Sequence, residues 1–234
     1  MQTAIDTDLI TFDNWTLRVR STPGSKRLLV LIHGFTGDEN SMWVFAQNLP
    51  AQYWMVAPRA PYATEPFGYS WRPLPFPDPS NGSHRADGSS GGQSPGVPSL
   101  EQLRPAAEAL IRLIDAYSSS AGLDAGSFDV MGFSQGAVLS SILAFLYPQR
   151  IRKIGILAGF VPKELEILAS KRPLEGRSVF VTHGTQDETV TIDRVRDSIR
   201  ILEKAGARVV YCEDEVGHKV SVKCLQALKS YFSD

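Results

Sequence analysis

Short apolar runs alternate along this chain with longer stretches whose apolar residues recur every three or four positions. That alternation constrains the fold more than any other feature. The short runs fall at 28–32, 53–56, 128–131, 151–157, 179–182 and 208–211, each bounded by Gly, Pro or polar residues, and read as buried strands. The longer stretches, at 40–49, 103–117, 135–147, 192–205 and 221–232, carry helical spacing. An amphipathic run at 15–20 reads as an added edge strand. Strands that alternate with helices join through right-handed crossovers, so the expected class is α/β, a mostly parallel central sheet with helices on both faces. A chain of 234 residues can bury one core of that size, and a single domain over 1–234 is expected.

One segment departs from the pattern. Residues 73–99 hold six Pro, five Gly and six Ser, too few apolar groups to pack as an element, and read as a long irregular loop. Loops of this length in compact domains commonly serve a function, and a lid or rim over a pocket is the expectation here. The loop ends at Ser99-Leu100-Glu101-Gln102, the form of a capping box. Pro105 then implies that the helix either begins there or kinks there.

Charge narrows the partners. Lys and Arg number 24 against 25 Asp and Glu, a formal net charge of −1, with no basic run, so nucleic acid and a polybasic membrane surface are both disfavoured. No stretch approaches the ~18 apolar residues of a membrane span. The first residues, Met1-Gln2-Thr3-Ala4-Ile5-Asp6-Thr7-Asp8, carry acids where a signal peptide carries bases, and a cytoplasmic location is expected. Cys212 and Cys224 lie outside any C-x-x-C pattern and read as buried free thiols.

The pattern G-x-S-x-G, in which a tight strand-to-helix turn exposes a nucleophilic serine, occurs three times, centred on Ser90, Ser94 and Ser134. Composition explains the first two, which lie in the Gly/Ser-rich loop. Ser134 follows the strand at 128–131 and opens the helix at 135–147, the context the chemistry requires. A serine hydroxyl needs a base, and the base needs an orienting acid. Of four histidines, His84 lies in the loop, while His33 and His183 end strands and read as structural. His218, between the last strand and the last helix, is the expected base. Asp187, in the loop after the strand at 179–182, is the expected acid, with Glu188 its nearest competitor. The oxyanion of an acyl-transfer intermediate needs two backbone donors. The amide of Gln135, next to the nucleophile, and that of Phe35, in the loop after the first buried strand, are the candidates.

Taken in order, His33-Gly34-Phe35, Pro58-Arg59-Ala60-Pro61 with Trp71 downstream, Gly132-Phe133-Ser134-Gln135-Gly136, His183-Gly184-Thr185-Gln186-Asp187 and Gly217-His218 resemble the phospholipase/carboxylesterase family of α/β-hydrolases. That family includes bacterial carboxylesterases and acyl-protein thioesterases. The resemblance implies the α/β-hydrolase fold, a Ser134, Asp187, His218 triad, an oxyanion hole from Phe35 and Gln135, and no metal or organic cofactor. Ala137 stands where the family commonly has a further Gly, and the segment after Trp71 is longer than usual. The expected activity is hydrolysis of small acyl esters through an acyl-enzyme, with thioester or lysophospholipid hydrolysis as the nearest alternative and a non-catalytic binding protein as the remote one. Phe35, Phe67, Tyr69, Trp71, Phe76 and Phe160 are the candidate acyl-pocket residues. The near-neutral net charge fits an uncharged ester that needs no electrostatic steering.

Overall fold

The computed structural model describes residues 6–47, 49–74, 96–124 and 126–233. Most of the loop at 73–99, with Phe76, His84, Ser90 and Ser94, lies outside them, and so does the lid expected there.

The chain opens with a hairpin, β1 (Asp8–Phe12) and β2 (Trp15–Arg20), whose two-residue turn places Asp13 and Asn14 in the left-handed region, where those residue types are tolerated. β3 (Arg27–Ile32) follows, then a single helical turn, α1 (Trp43–Ala46), and β4 (Tyr53–Pro58). The expected helix at 40–49 is thus much shorter than its pattern. A two-stranded ribbon, β5 (Tyr62–Ala63) and β6 (Tyr69–Ser70), leaves the main sheet. After it come α2 (Leu100–Ala121), β7 (Phe128–Phe133), α3 (Gln135–Leu146) and β8 (Ile151–Leu157). A 3-10 turn at Lys163–Leu165 leads into α4 (Glu166–Ala169), and β9 (Ser178–Gly184), α5 (Ile192–Lys204), β10 (Arg208–Asp214) and α6 (Val222–Ser233) complete the fold.

The main sheet has eight strands in the order β1-β2-β4-β3-β7-β8-β9-β10, antiparallel at β1, β2 and β4 and parallel from β4 onward. Strand alternation divides the core in two. Leu28, Val30 and Ile32 of β3 join Val130, Ile154 and Val179 under α2, α3 and α5, whereas Leu29 and Leu31 join Met55, Met131 and Phe180 under α1 and α6. α3 is buried nearly all round because α2 lies over it, which is why it is apolar without a polar face.

Two expectations resolve here. α2 begins at Ser99, whose hydroxyl accepts the Gln102 amide while the Gln102 side chain accepts the Ser99 amide, and Pro105 sits inside the helix. The capping box therefore sets the start, and the proline is carried in the second turn. The two cysteines are not free thiols: Cys212 of β10 and Cys224 of α6 form a disulfide with Cα atoms 5.7 Å apart. Their separation of 12 residues gave no hint of pairing, because only the return of α6 along the sheet brings them together. Among the described residues no helix is long and apolar enough to cross a membrane.

Candidate active site

The parallel strands end at one edge of the sheet, and four of them lead from their carboxyl ends to residues expected in the site. Such an edge is where open α/β sheets collect ligands. β3 leads to Phe35, β7 to Ser134, β9 to Asp187 and β10 to His218.

Ser134 caps α3 with φ 52° and ψ −116°, a conformation that L residues seldom adopt. Its amide is held by the Leu157 carbonyl at 2.9 Å, so the neighbouring strand fixes the turn. The flanking glycines are required by space. A Cβ on Gly132 would stand 2.1 Å from the Gly136 carbonyl oxygen, and one on Gly136 would stand 2.1 Å from that of Ile32. The turn can therefore close only with hydrogen at both positions.

His218 bridges the other two members. Its Nδ1 lies 2.7 Å from Asp187 Oδ2 and its Nε2 lies 2.9 Å from Ser134 Oγ. A carboxylate only accepts, so the proton sits on Nδ1 and Nε2 is free to accept from the serine hydroxyl. Asp187 is held from its other oxygen: Oδ1 accepts the Thr189 and Val190 amides at 2.8 and 2.9 Å. Glu188 makes no such contact among the described residues, which separates the two neighbouring acids. The Phe133 ring packs on the His218 imidazole with centroids 5.1 Å apart. The loops are tied to each other where Gln186 donates its amide to the Val216 carbonyl at 3.0 Å.

The other two described histidines are structural. His33 donates from Nδ1 to the Gly34 carbonyl and accepts the Ala60 amide at Nε2, at 2.7 and 3.0 Å, and burial pushes its pKa down, so it is held neutral. His183 donates from Nε2 to the Val190 carbonyl at 2.7 Å and is likewise pushed down by burial. A neutral ring beside Asp187 leaves the carboxylate to His218.

The Phe35 loop is braced from outside. Thr36 donates its amide to the Tyr69 carbonyl, and Tyr69 donates back to Gly37. The buried Glu39 forms a two-pronged pair with Arg59 at 2.7 and 2.9 Å, and the Arg59 guanidinium lies 4.7 Å from the centre of the Tyr69 ring. The Gln135 side chain accepts the Trp71 amide and donates to the Ser70 hydroxyl, fastening the ribbon to the Ser134 turn. Neither the Phe35 nor the Gln135 amide has an acceptor among the described residues, and both residues border the same cavity as Ser134 and His218. That cavity holds about 350 Å³.

Of the aromatic residues expected at the pocket, Phe35 and Phe160 line this cavity. The other described ones do not. Trp71 is 1% exposed and spends its indole N–H on the His33 carbonyl, Tyr69 stacks with Arg59, and Phe67 is 73% exposed at the ribbon turn. Their sequence positions after β4 could not show that the ribbon carries them behind the Phe35 loop. Among the lining residues that the sequence reading missed are two cations, Arg72 and Arg194. Arg194 stands in the first turn of α5 beside Asp193 and Arg196, and nothing in that charged stretch of sequence marks it as a cavity residue. Among the described residues no group of three or more His, Cys, Asp or Glu side chains is disposed to hold a metal ion.

Known proteins agree with this architecture. The phospholipase/carboxylesterase family model matches residues 94–234. Carboxylesterase SOBER1 of Arabidopsis thaliana is 31% identical over 108 residues, a match covering 44% of this chain and 46% of that protein, so the chain spans less than half the length of that relative. Acyl-protein thioesterase 1 of Debaryomyces hansenii is 25% identical over 219 residues, covering 90% of this chain and 91% of the relative. The crystal structure of the Bacillus cereus carboxylesterase superposes with a TM-score of 0.77 at 20% identity over 94% of both chains, a likeness of fold. With more than half of its length matched by the family model, the chain belongs to the phospholipase/carboxylesterase family and has the α/β-hydrolase fold.

Proposed function

We propose that residues 1–234 form one hydrolase domain that cleaves small carboxylic esters, with Ser134 as nucleophile, His218 as general base and acid, and Asp187 as the residue that orients His218. The observation that carries this reading is the continuous chain from Asp187 Oδ2 through His218 to Ser134 Oγ, with links of 2.7 and 2.9 Å. His218 Nε2 takes the hydroxyl proton as Ser134 Oγ attacks the ester carbonyl carbon. The resulting oxyanion is stabilised by the amides of Phe35 and Gln135, which have no acceptor among the described residues. Collapse expels the alcohol, which receives the proton from His218 and leaves an acyl-serine. Water, deprotonated by the same imidazole, attacks the acyl carbon and releases the acid and free Ser134. No metal or organic cofactor enters these steps.

A fluorophosphonate probe tests the reading. Folded protein should be labelled at Ser134, and the Ser134→Ala variant should not. Absence of labelling in the folded parent sinks the proposal. A thioesterase reading is favoured by the yeast relative that aligns over 90% of the chain. Acyl esters and acyl-thioesters of matched chain length separate the two by their kcat/KM ratio. On location, the Cys212–Cys224 disulfide weighs against the cytoplasm, since disulfides persist in oxidising compartments. Free thiols in protein taken directly from its cell would restore the cytoplasmic reading.

A further inference from the structure

The cavity at Ser134 contains two cations and no acid. Its described lining includes Arg72 and Arg194 but no Asp or Glu. Arg72 is committed elsewhere, donating to the Gln102 side chain and to the Gly96 carbonyl, and contributes charge without a free fork. Arg194 is different. It is half-buried in the first turn of α5, and its guanidinium has neither a hydrogen-bond acceptor nor an ion-pair partner among the described residues. The two acids nearest to it on its own helix are taken, Asp193 lying 3.6 Å from Arg196 and Asp197 lying 2.5 Å from Arg200, and Glu203 is more than two turns away.

The Arg194 guanidinium lies 4.7 Å from the centre of the Phe160 ring, in the wall of the cavity. Stacking on an aromatic face fixes the plane of the fork and leaves its N–H edge for an acceptor. A cation in the first turn of a helix opposes the helix dipole, and partial burial without a counter-ion adds a desolvation cost. Both penalties vanish when an anion arrives. A planar carboxylate matches a single guanidinium fork through two parallel hydrogen bonds. A volume of about 350 Å³ suits a short substrate.

We infer that this site is built for short esters bearing a free carboxylate, gripped by Arg194 while the ester carbonyl sits at Ser134. The inference rests on the hydrolase reading above and deepens it. The carboxylate could belong to the acyl part or to the alcohol part, so the assay has two arms. In the first, the 4-nitrophenyl hemi-esters of glutaric and adipic acids are compared with 4-nitrophenyl pentanoate and hexanoate. In the second, 4-acetoxybenzoate is compared with 4-acetoxybenzamide.

The readout is the ratio of kcat/KM, charged over neutral, within each enzyme. In at least one arm the parent ratio should exceed one, fall about tenfold or more in Arg194→Gln, and recover in part in Arg194→Lys. A ratio at or below one in both arms, or one that survives Arg194→Gln, overturns the inference while neutral-ester turnover still upholds the hydrolase reading. A second measurement is independent of turnover. Calorimetry on Ser134→Ala should show glutarate binding more tightly than glutaramide, with the difference lost on adding Arg194→Gln. Equal binding of the two overturns the inference whether or not the parent is active.

Discussion

The disulfide brackets the loop that carries His218, with Cys212 on the strand before it and Cys224 on the helix after it. Replacing both cysteines in Cys212→Ser/Cys224→Ser opens that loop in the unfolded chain. For a closed loop with a residue separation of 12, the chain-entropy relation gives a stabilisation of about 3 kcal/mol. In a protein of this size each kcal/mol moves the melting temperature by roughly 2–4 °C, so the variant should melt roughly 6–12 °C lower. The assay is a circular-dichroism melt of both proteins at one pH, with denaturant midpoints as a second scale. The kinetic consequence is more specific. His218 lies midway between the cysteines, so loosening the loop should lower kcat more than it raises KM, because the imidazole spends less time aligned between Asp187 and Ser134. Melting within about 2 °C of the parent would refute the entropic reasoning. An unchanged kcat in a destabilised variant would refute the bracing of His218.

Two further outcomes are expected. Asp129, fully buried, accepts from the Tyr53 hydroxyl at 2.8 Å, from the Lys153 amide at 3.1 Å, and pairs with Arg27 and Arg152 at 3.1 and 3.2 Å, so Asp129→Ala should cost about 3 kcal/mol in urea unfolding while leaving the active-site residues in place. A loss below about 1 kcal/mol would contradict the role given to this network. Stability should also fall with acid. His33 and His183 are both pushed down by burial, so the unfolded chain takes up their protons first, near pH ~6.5, and stability declines by up to ~1.4 kcal/mol per pH unit per histidine until the folded groups titrate. Urea midpoints between about pH 7 and 5.5 check this, and His183→Asn should flatten the slope.

The alternating pattern was sufficient to read the central parallel strands, because β3 and β9 are buried on both faces and show as apolar runs, while the edge strand β10, half exposed, still carries Val209-Val210-Tyr211. Val30 and Leu31 face opposite layers, yet both are apolar for that reason. The same logic failed for the short α1 turn, where apolar residues at helical spacing serve a loop, and for β1, whose apolar Leu9 is exposed and whose strand has no fully buried residue. Ser134 was legible because the turn around it tolerates only hydrogen at Gly132 and Gly136, a steric demand that leaves its mark in consecutive residues. His218 and Asp187 were legible more weakly, through their places after particular strands.

The sequence by itself determined the layered α/β class and the tight turn at Ser134, since each depends on spacing or sterics within a few residues. Only the tertiary structure decided the rest. It paired Cys212 with Cys224, put the Phe67, Tyr69 and Trp71 side chains outside the cavity at Ser134, and left the Arg194 guanidinium at its wall without a partner among the described residues. Those outcomes depend on which distant loops meet at the carboxyl edge of the sheet. Local spacing records the period of an element and the sterics of a turn, but not the identity of what packs against it from elsewhere in the chain.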